Sequence, residues 1–395
     1  MKKFLVLFLT LLFLFSSVAA LGSTAGKLKI WGDERITALK PIAKQFEKDY
    51  GVKVELVQVP FGDMRSKLEK AGPAGKGPDI LIGAHDWIGE LAQNGLIDSL
   101  LYMKDIKDKF VDVSIEGFTY DNKIYGLPYA YESIALIYNK DMVPEEPKTW
   151  EKVVEISEKF TNPEKKTYGF VYPGTGDPYH TFPFISAYGG YIFKYDGGFD
   201  PTNIGLNNKG AVKGLKKLDA MYEKGLLPQG IGYGTAASLF KEGKAAIFMT
   251  GPWEIPSIKE AGVNFGVAPL PTMDGNQMQP FVGAQGFMLS QFSKNKVLAN
   301  EFLKNYIATN EAMMTIYEKN KRPPAFKPTL EKVKDDPVVA AFAESAKVGI
   351  PMPNIPEMGA VWANLGNKLQ LISQQKQEPQ AAMDDAVKAI KQSIK

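Results

Sequence analysis

Residues 77–89 read GPDILIGAHDWIG. Gly77-Pro78 sets a turn, and Asp79-Ile80-Leu81-Ile82 follows as an apolar run of the length of a buried strand. A buried strand normally ends in small residues and hands over to a helix. Here Gly83-Ala84 is followed by His85, Asp86 and Trp87, a carboxylate beside an indole at the end of an apolar strand. Working outward, Lys27 to Trp31 reads as a strand. Ile36, Leu39, Ile42, Ala43 and Phe46 recur at helical spacing up to a stop at Gly51, with Pro41 tolerable only close to the helix start. Residues 52–59 give a second strand, 65–70 a short helix and 79–82 a third strand. That alternation marks an α/β fold with a mainly parallel sheet and helices on its faces.

The rhythm restarts after Tyr138, with a helix expected at 150–160, strands at 168–172, 245–249 and 265–268, and a long helix at 211–223. Beyond Val297 helices are expected at 297–308, 311–319, 338–347, 358–374 and 380–393. This first reading cuts the chain once, near Tyr138. In open parallel sheets ligands bind beyond the carboxyl ends of the strands. Asp86-Trp87 and the loop Gly32-Asp33-Glu34-Arg35 both fall there.

The 395-residue chain is too long for one ordinary domain. Its first 20 residues have the form of a secretory signal: Lys2-Lys3, an apolar stretch at 4–15, and the small residues Ser17-Val18-Ala19-Ala20. An uncleaved anchor is the alternative; cleavage near Ala20 is the expectation. Removing Lys2 and Lys3 takes the formal charge from +3 to +1, which gives no field for nucleic acid or an anionic membrane. No cysteine is present, so there are no disulfides, no thiolate metal sites and no thiol for lipid attachment. An exported, untethered protein is best retained in a periplasm.

Chemistry by catalysis or metal finds little support. His85 and His180 are the only histidines and lack metal-motif spacing, and phosphate-binding glycine loops and a Gly-x-Ser-x-Gly elbow are missing. No cofactor is implied. Only Arg35, Arg65 and Arg322 are arginines among 47 basic residues. A carboxylate or phosphate site usually recruits arginine forks, so the ligand is expected to be neutral. What remains is aromatic rings set among acids: Asp86-Trp87, Glu132 in YAYES, Asp177-Pro178-Tyr179 in GTGDPYH, Trp253-Glu254 in GPWEI, and Trp362 in NIPEMGAVWANL. A sugar offers an apolar C–H face for rings and a rim of hydroxyls for carboxylates and amides.

The stretches FEKDYGVKV, GPDILIGAHD, ESIALIYNKD, PKTWE, GGYIFKY, FKEGKAAI, GPW, PFVG and MPNIPEM, in this order from about Lys27 to the end, resemble the maltose/maltodextrin-binding proteins, extracytoplasmic receptors of sugar ABC importers. The resemblance implies a two-lobe periplasmic-binding-protein fold with discontinuous lobes joined by hinge crossings, one lobe from 27–130 and 286–331, the other from 135–281 and 337–395. It implies a monomer that closes on a maltose- or maltotriose-type oligosaccharide and delivers it to membrane permease subunits. Asp33, Asp86 and Glu132 match family residues that bond sugar hydroxyls, and Asp177 matches a family glutamate, one carbon shorter. Tyr179, Trp253 and Trp362 match stacking rings, and Tyr233 matches a cleft tyrosine.

The chain also departs from the family. The family tryptophan before Ala-His-Asp is Gly83 here, and the arginine after that aspartate is Trp87, which is placed to line the same space. A sugar-binding lysine is replaced by Glu34 beside Arg35, and a tyrosine and arginine after the last tryptophan are Ala363 and Gly366. Receptors for other neutral sugars, such as trehalose or manno-oligosaccharides, remain open at this stage. So does an exported glycosidase, which needs two carboxylates about 5–5.5 Å or 6.5–9.5 Å apart.

Overall fold

The computed structural model describes residues 26–394; the secretory signal read at 1–20 lies outside them. The strand Lys27–Gly32 runs parallel to Lys53–Gln58 along its length and to Ile80–Ala84. Between the first two, Pro41 occupies the first turn of the Lys40–Tyr50 helix, where its missing N–H costs nothing, and Gly51 at φ 64° ends that helix. The fourth long member of this sheet comes from far along the chain. Phe281–Ser290 runs antiparallel to Ile80–Ala84 and to Gly126–Glu132, and parallel to the short strand Ile350–Pro351.

A second, four-stranded sheet has the order Phe265–Ala268, Ala135–Asn139, Ala245–Thr250, Tyr168–Val171. The chain therefore leaves the first sheet after Glu132, builds the second, and returns at Phe281. A single cut near Tyr138 is incompatible with this. The strands that carry the crossings hide themselves in sequence. Gly126–Glu132 contains Pro128, which argues against a central strand. It fits because Pro128 lies opposite Gly286, where the register shifts between Gln285 and Gly286.

The helices after Val297 stand close to the periodicity: Lys296–Glu301 continuing as a π-helical turn to Ile307, then Asn310–Asn320, Pro337–Lys347, Met358–Ser373 and Pro379–Ser393. Periodicity does not reveal Lys327–Val333, nor Pro178–Ser186, whose Pro178 and Pro183 mask it.

Alternate residues of the first sheet feed two cores. Ile30, Ile80 and Phe287 pack on one face, and Trp31, Leu81 and Met288 on the other. The second sheet divides likewise, Leu136 and Tyr138 on one side, Ala135 and Ile137 on the other. A further core joins Pro178–Ser186 to the two C-terminal helices through Phe182, Val361 and Met383. Burial on both faces is what a sheet covered by helices requires.

Trp150 opens the Trp150–Phe160 helix, is 3% exposed, and meets Phe170 and Phe184 edge-on at 5.5 and 5.0 Å. Trp150→Ala is expected to lower the unfolding free energy by about 3–5 kcal/mol in denaturant titration. In the same assay the partly exposed Trp362 is expected to cost less than half as much when truncated to alanine.

Candidate functional site

After Ile80–Ala84 the chain makes one tight turn, His85–Trp87, before the helix Ile88–Gln93. His85 fixes that turn. Its Nδ1 accepts the Ala284 N–H at 3.0 Å, so Nε2 carries the proton and donates to the Met352 carbonyl at 3.0 Å. Burial holds the imidazole below its usual range. With His85 anchored, Asp86 points to the other half of the molecule, where its Oδ2 accepts the Trp362 indole N–H at 3.1 Å. Burial pushes the Asp86 carboxyl above its ordinary range, while the Arg65 charge and the Trp362 N–H act against the rise.

Trp87 packs within its own half. Its ring lies over Gly83, where a Cβ would fall 2.2 Å from Cζ3; it also meets the Phe61 ring at 4.8 Å and the Arg65 guanidinium at 5.8 Å. Gly251 and Trp253 repeat the device at the end of Ala245–Thr250, with a Cβ on Gly251 falling 2.0 Å from the indole. The Trp253 Nε1 donates to the Tyr233 hydroxyl at 2.6 Å, and that hydroxyl donates to Glu254 at 2.7 Å. The polar end of Tyr233 is therefore engaged within its own half.

Asp33 caps the turn after the first strand, accepting from the Arg35 N–H at 3.0 Å, and its carboxylate pairs with the Arg35 guanidinium. Glu132, buried at the end of its strand, accepts from Gln285 Nε2 at 2.9 Å on one oxygen and from Arg322 Nε on the other. The Arg322 guanidinium lies 5.5 Å from the centre of the Trp253 ring. Asp177 caps Pro178–Ser186: one oxygen accepts the His180 N–H at 3.0 Å and the other bonds the His180 Nδ1 at 2.8 Å. Burial acts to raise the Asp177 carboxyl, but the His180 charge and hydrogen bonds outweigh it and hold the group low.

Tyr179 stands among these groups. Its ring is 6.1 Å from Trp253 and 6.0 Å from Phe281, and Phe281 meets Trp362 at 6.5 Å. Burial, together with the charges of Glu132, Asp177 and Asp86, raises the Tyr179 hydroxyl well above its usual range. Three carboxylates from distant parts of the chain thus bear on one phenol. The structure brings Asp86, Glu132, Asp177, Tyr179, Tyr233, Trp253 and Trp362 together. Asp33 stands one residue pair away, with its partner Arg35 acting on Glu132, and Trp87 stays on its own lobe face.

Among the described residues six buried side-chain polar atoms lack a hydrogen-bond partner. Four are here: Tyr179 OH, His180 Nε2, Gln285 Oε1 and Arg322 Nη1. His180, Gln285 and Arg322 escape sequence reasoning. The rarity of arginine is the one sequence signal that bears on Arg322. All three arginines line this region, yet each is answered by a carboxylate: Arg35 by Asp33, Arg65 by Glu90 at 2.7 Å, and Arg322 by Glu132. That pairing leaves little net positive charge to attract an anion.

Among the described residues no group of His, Cys, Asp and Glu could hold a metal ion, and no helix is long and apolar enough to cross a membrane. The chain is similar over 96% of its length to a galactooligosaccharide-binding protein of Bacillus subtilis, with 37% identity and 92% of that protein covered. A maltodextrin-binding protein of the same organism is 34% identical over 90% of this chain and 87% of its own. A crystal structure of a cyclo/maltodextrin-binding protein complexed with maltotetraose superposes with a TM-score of 0.81 at 37% identity, covering 93% of this chain and 97% of that one. These similar proteins are binding proteins and not enzymes. Residues 41–341 match the bacterial extracellular solute-binding protein family, and the chain belongs to that family.

Proposed function

We propose that the protein is the extracytoplasmic receptor of a sugar ABC importer, closing on a neutral oligosaccharide and presenting it to the membrane permease. The observation that carries this reading is the set of four unpaired buried polar atoms gathered around Trp253, Tyr179 and Trp362. A sugar supplies both things this arrangement lacks, a flat apolar face for the rings and hydroxyls for the polar atoms. The lobes are proposed as 27–130 with 286–331 and 135–281 with 337–395, each built on one of the two sheets. Ligand contacts are proposed at Asp33, Asp86, Trp87, Tyr179, Tyr233, Trp253 and Trp362, with Glu132 and Asp177 as members of the same site. The protein is proposed to work as a monomer in the periplasm without a lipid anchor, in keeping with a sequence that has no cysteine.

A maltose- or maltotriose-type ligand is supported by the maltodextrin-binding relative and by the solved complex with maltotetraose. A galactosyl oligosaccharide is the second reading, favoured by the galactooligosaccharide-binding relative. Calorimetry against maltotriose and β-1,4-galactotriose separates them. The sugar that binds is also expected to reduce the radius of gyration in small-angle scattering, because a ligand shifts an equilibrium only by binding the closed form more tightly. An unchanged radius at saturation sinks the clamp.

Trp253→Ala is expected to weaken binding of that sugar by about 1–3 kcal/mol, through lost ring packing and admitted water. Loss of affinity no greater than for an exposed surface substitution would remove Trp253 from the site.

Asp86→Asn is expected to separate stability from function. The folded-state carboxyl is raised above its ordinary 3.8 by burial. Its contribution to stability is therefore present below the unfolded value and lost as pH rises through the folded one. At neutral pH the buried charge is a cost, and asparagine removes it while still accepting the Trp362 N–H. The variant is expected to melt at a higher temperature than wild type at pH 7, with the difference shrinking toward pH 3. Sugar affinity is expected to fall about tenfold, the loss of a charged acceptor. A lower melting temperature at pH 7 would overturn the assignment.

A further inference from the structure

Two of the proposed sugar-gripping carboxylates have both oxygens engaged inside the protein. Asp177 gives one oxygen to the backbone of its own helix and the other to His180. Glu132 gives one to Gln285 and the other to Arg322. The far ends of the three side chains so held are the atoms without partners: His180 Nε2, Gln285 Oε1 and Arg322 Nη1. Two of them frame one indole, the His180 ring lying 6.0 Å from Trp253 and perpendicular to it, and the Arg322 guanidinium lying 5.5 Å away.

We propose that His180, Gln285 and Arg322 read the hydroxyls of the sugar unit on Trp253, and that Asp177 and Glu132 are positioning residues that aim them. This rests on the oligosaccharide reading above and names the groups that carry its specificity.

The hydrogen-bond roles are fixed by the partners. An ionised Asp177 only accepts, so His180 Nδ1 carries a proton, and Nε2 meets a hydroxyl as acceptor in the neutral ring and as donor in the charged one. Gln285 gives an N–H to Glu132, and its buried Oε1 is left as an acceptor without a partner. Arg322 has only donors to offer. Tyr179, whose hydroxyl can do either, completes the ring. An acceptor on Gln285, a donor on Arg322 and groups able to do either on His180 and Tyr179 match a rim of hydroxyls, each able to give and take one bond. An anion would face Glu132, Asp177 and Asp86 and leave the Gln285 acceptor empty.

The position of Asp177 gives this a local cause. As the cap of Pro178–Ser186 it is held against the helix start and cannot extend. His180, one turn on, supplies the reach.

The test is a double-mutant cycle on the full exported chain, titrated by calorimetry with maltotriose and with β-1,4-galactotriose. His180→Phe keeps a ring against Trp253 and loses Nε2. Asp177→Asn keeps a good helix cap and loses the carboxylate that holds the His180 ring through Nδ1. Each single variant is expected to bind at least tenfold more weakly, and the double variant within twofold of the weaker single, because Asp177 acts through His180. Losses that multiply would show that Asp177 grips sugar itself and would overturn the proposal. So would a wild-type affinity in His180→Phe.

Gln285→Met keeps the volume of a fully buried strand position and tests the other arm. It leaves one oxygen of the buried Glu132 without its partner, so a lower melting temperature is expected beside an about tenfold loss of affinity in the folded protein, and undiminished binding overturns that arm. A wild type that binds neither sugar, nor any other neutral oligosaccharide, would instead remove the receptor reading and this proposal with it.

Discussion

Everything in the molecule depends on the pairing of one strand, Phe281–Ser290. All ten of its residues are buried, and it is hydrogen-bonded on both sides. It begins with Phe281 stacked on Phe182 at 3.7 Å, in the core shared with the C-terminal helices. It ends with Met288 and Leu289 on opposite faces of the first sheet. A strand buried this way has a strongly specified register, since a slip by one residue would turn every side chain to the wrong face. That register sets Gln285 opposite Ala84 and beside Ala130, which is how the amide comes to meet Glu132. The same strand gives the Ala284 N–H to His85. The turn that aims Asp86 and the acid that holds Arg322 are thus both referred to one backbone.

The electrostatic organisation follows from burial. Carboxylates and guanidinium groups taken out of water must be paired or hydrogen-bonded, or they neutralise. In this site the pairing leaves little net charge to steer an ion but many directed polar ends. Glu132 and Arg322 are both nearly inaccessible, 7% and 3% exposed, so removing one partner would strand the other in a poor solvent. Such an arrangement is costly to alter piecemeal and well suited to holding neutral groups in fixed geometry.

The elements with clean periodicity are legible in the sequence: the first three strands, the Trp150–Phe160 helix, and the helical C-terminal third. The aromatic-acid pairs are legible as well, because Asp86-Trp87, Trp253 beside Glu254 and Tyr179 after Asp177 are neighbours in the chain. The rest rests on separation. Gln285 and Glu132 are 153 residues apart and Arg322 and Glu132 are 190 apart, and no local pattern announces such partners. His180 fails for a different reason. Judged as a metal ligand it lacks company, and only the bond from Asp177 shows that it serves as a hydrogen-bonding arm. The interleaving of the two sheets is hidden by Pro128 and by the glycines of Phe281–Ser290, residues that ordinarily speak against a central strand.

The Gly83–Trp87 overlap has an evolutionary consequence. Gly83 stands where the maltodextrin-binding proteins that the sequence resembles carry a tryptophan, and the space over it is filled here by the ring of Trp87, four residues later. A side chain added at 83 meets the Trp87 ring at 2.2 Å, while shrinking Trp87 first leaves a ring-sized hole beneath the loop. Either single step passes through an overpacked or a hollow protein. The two arrangements are therefore separated by sign epistasis: a change favourable in one background is damaging in the other. Libraries that vary this platform one position at a time stay at the end where they start; only paired variation at 83 and 87 reaches the other.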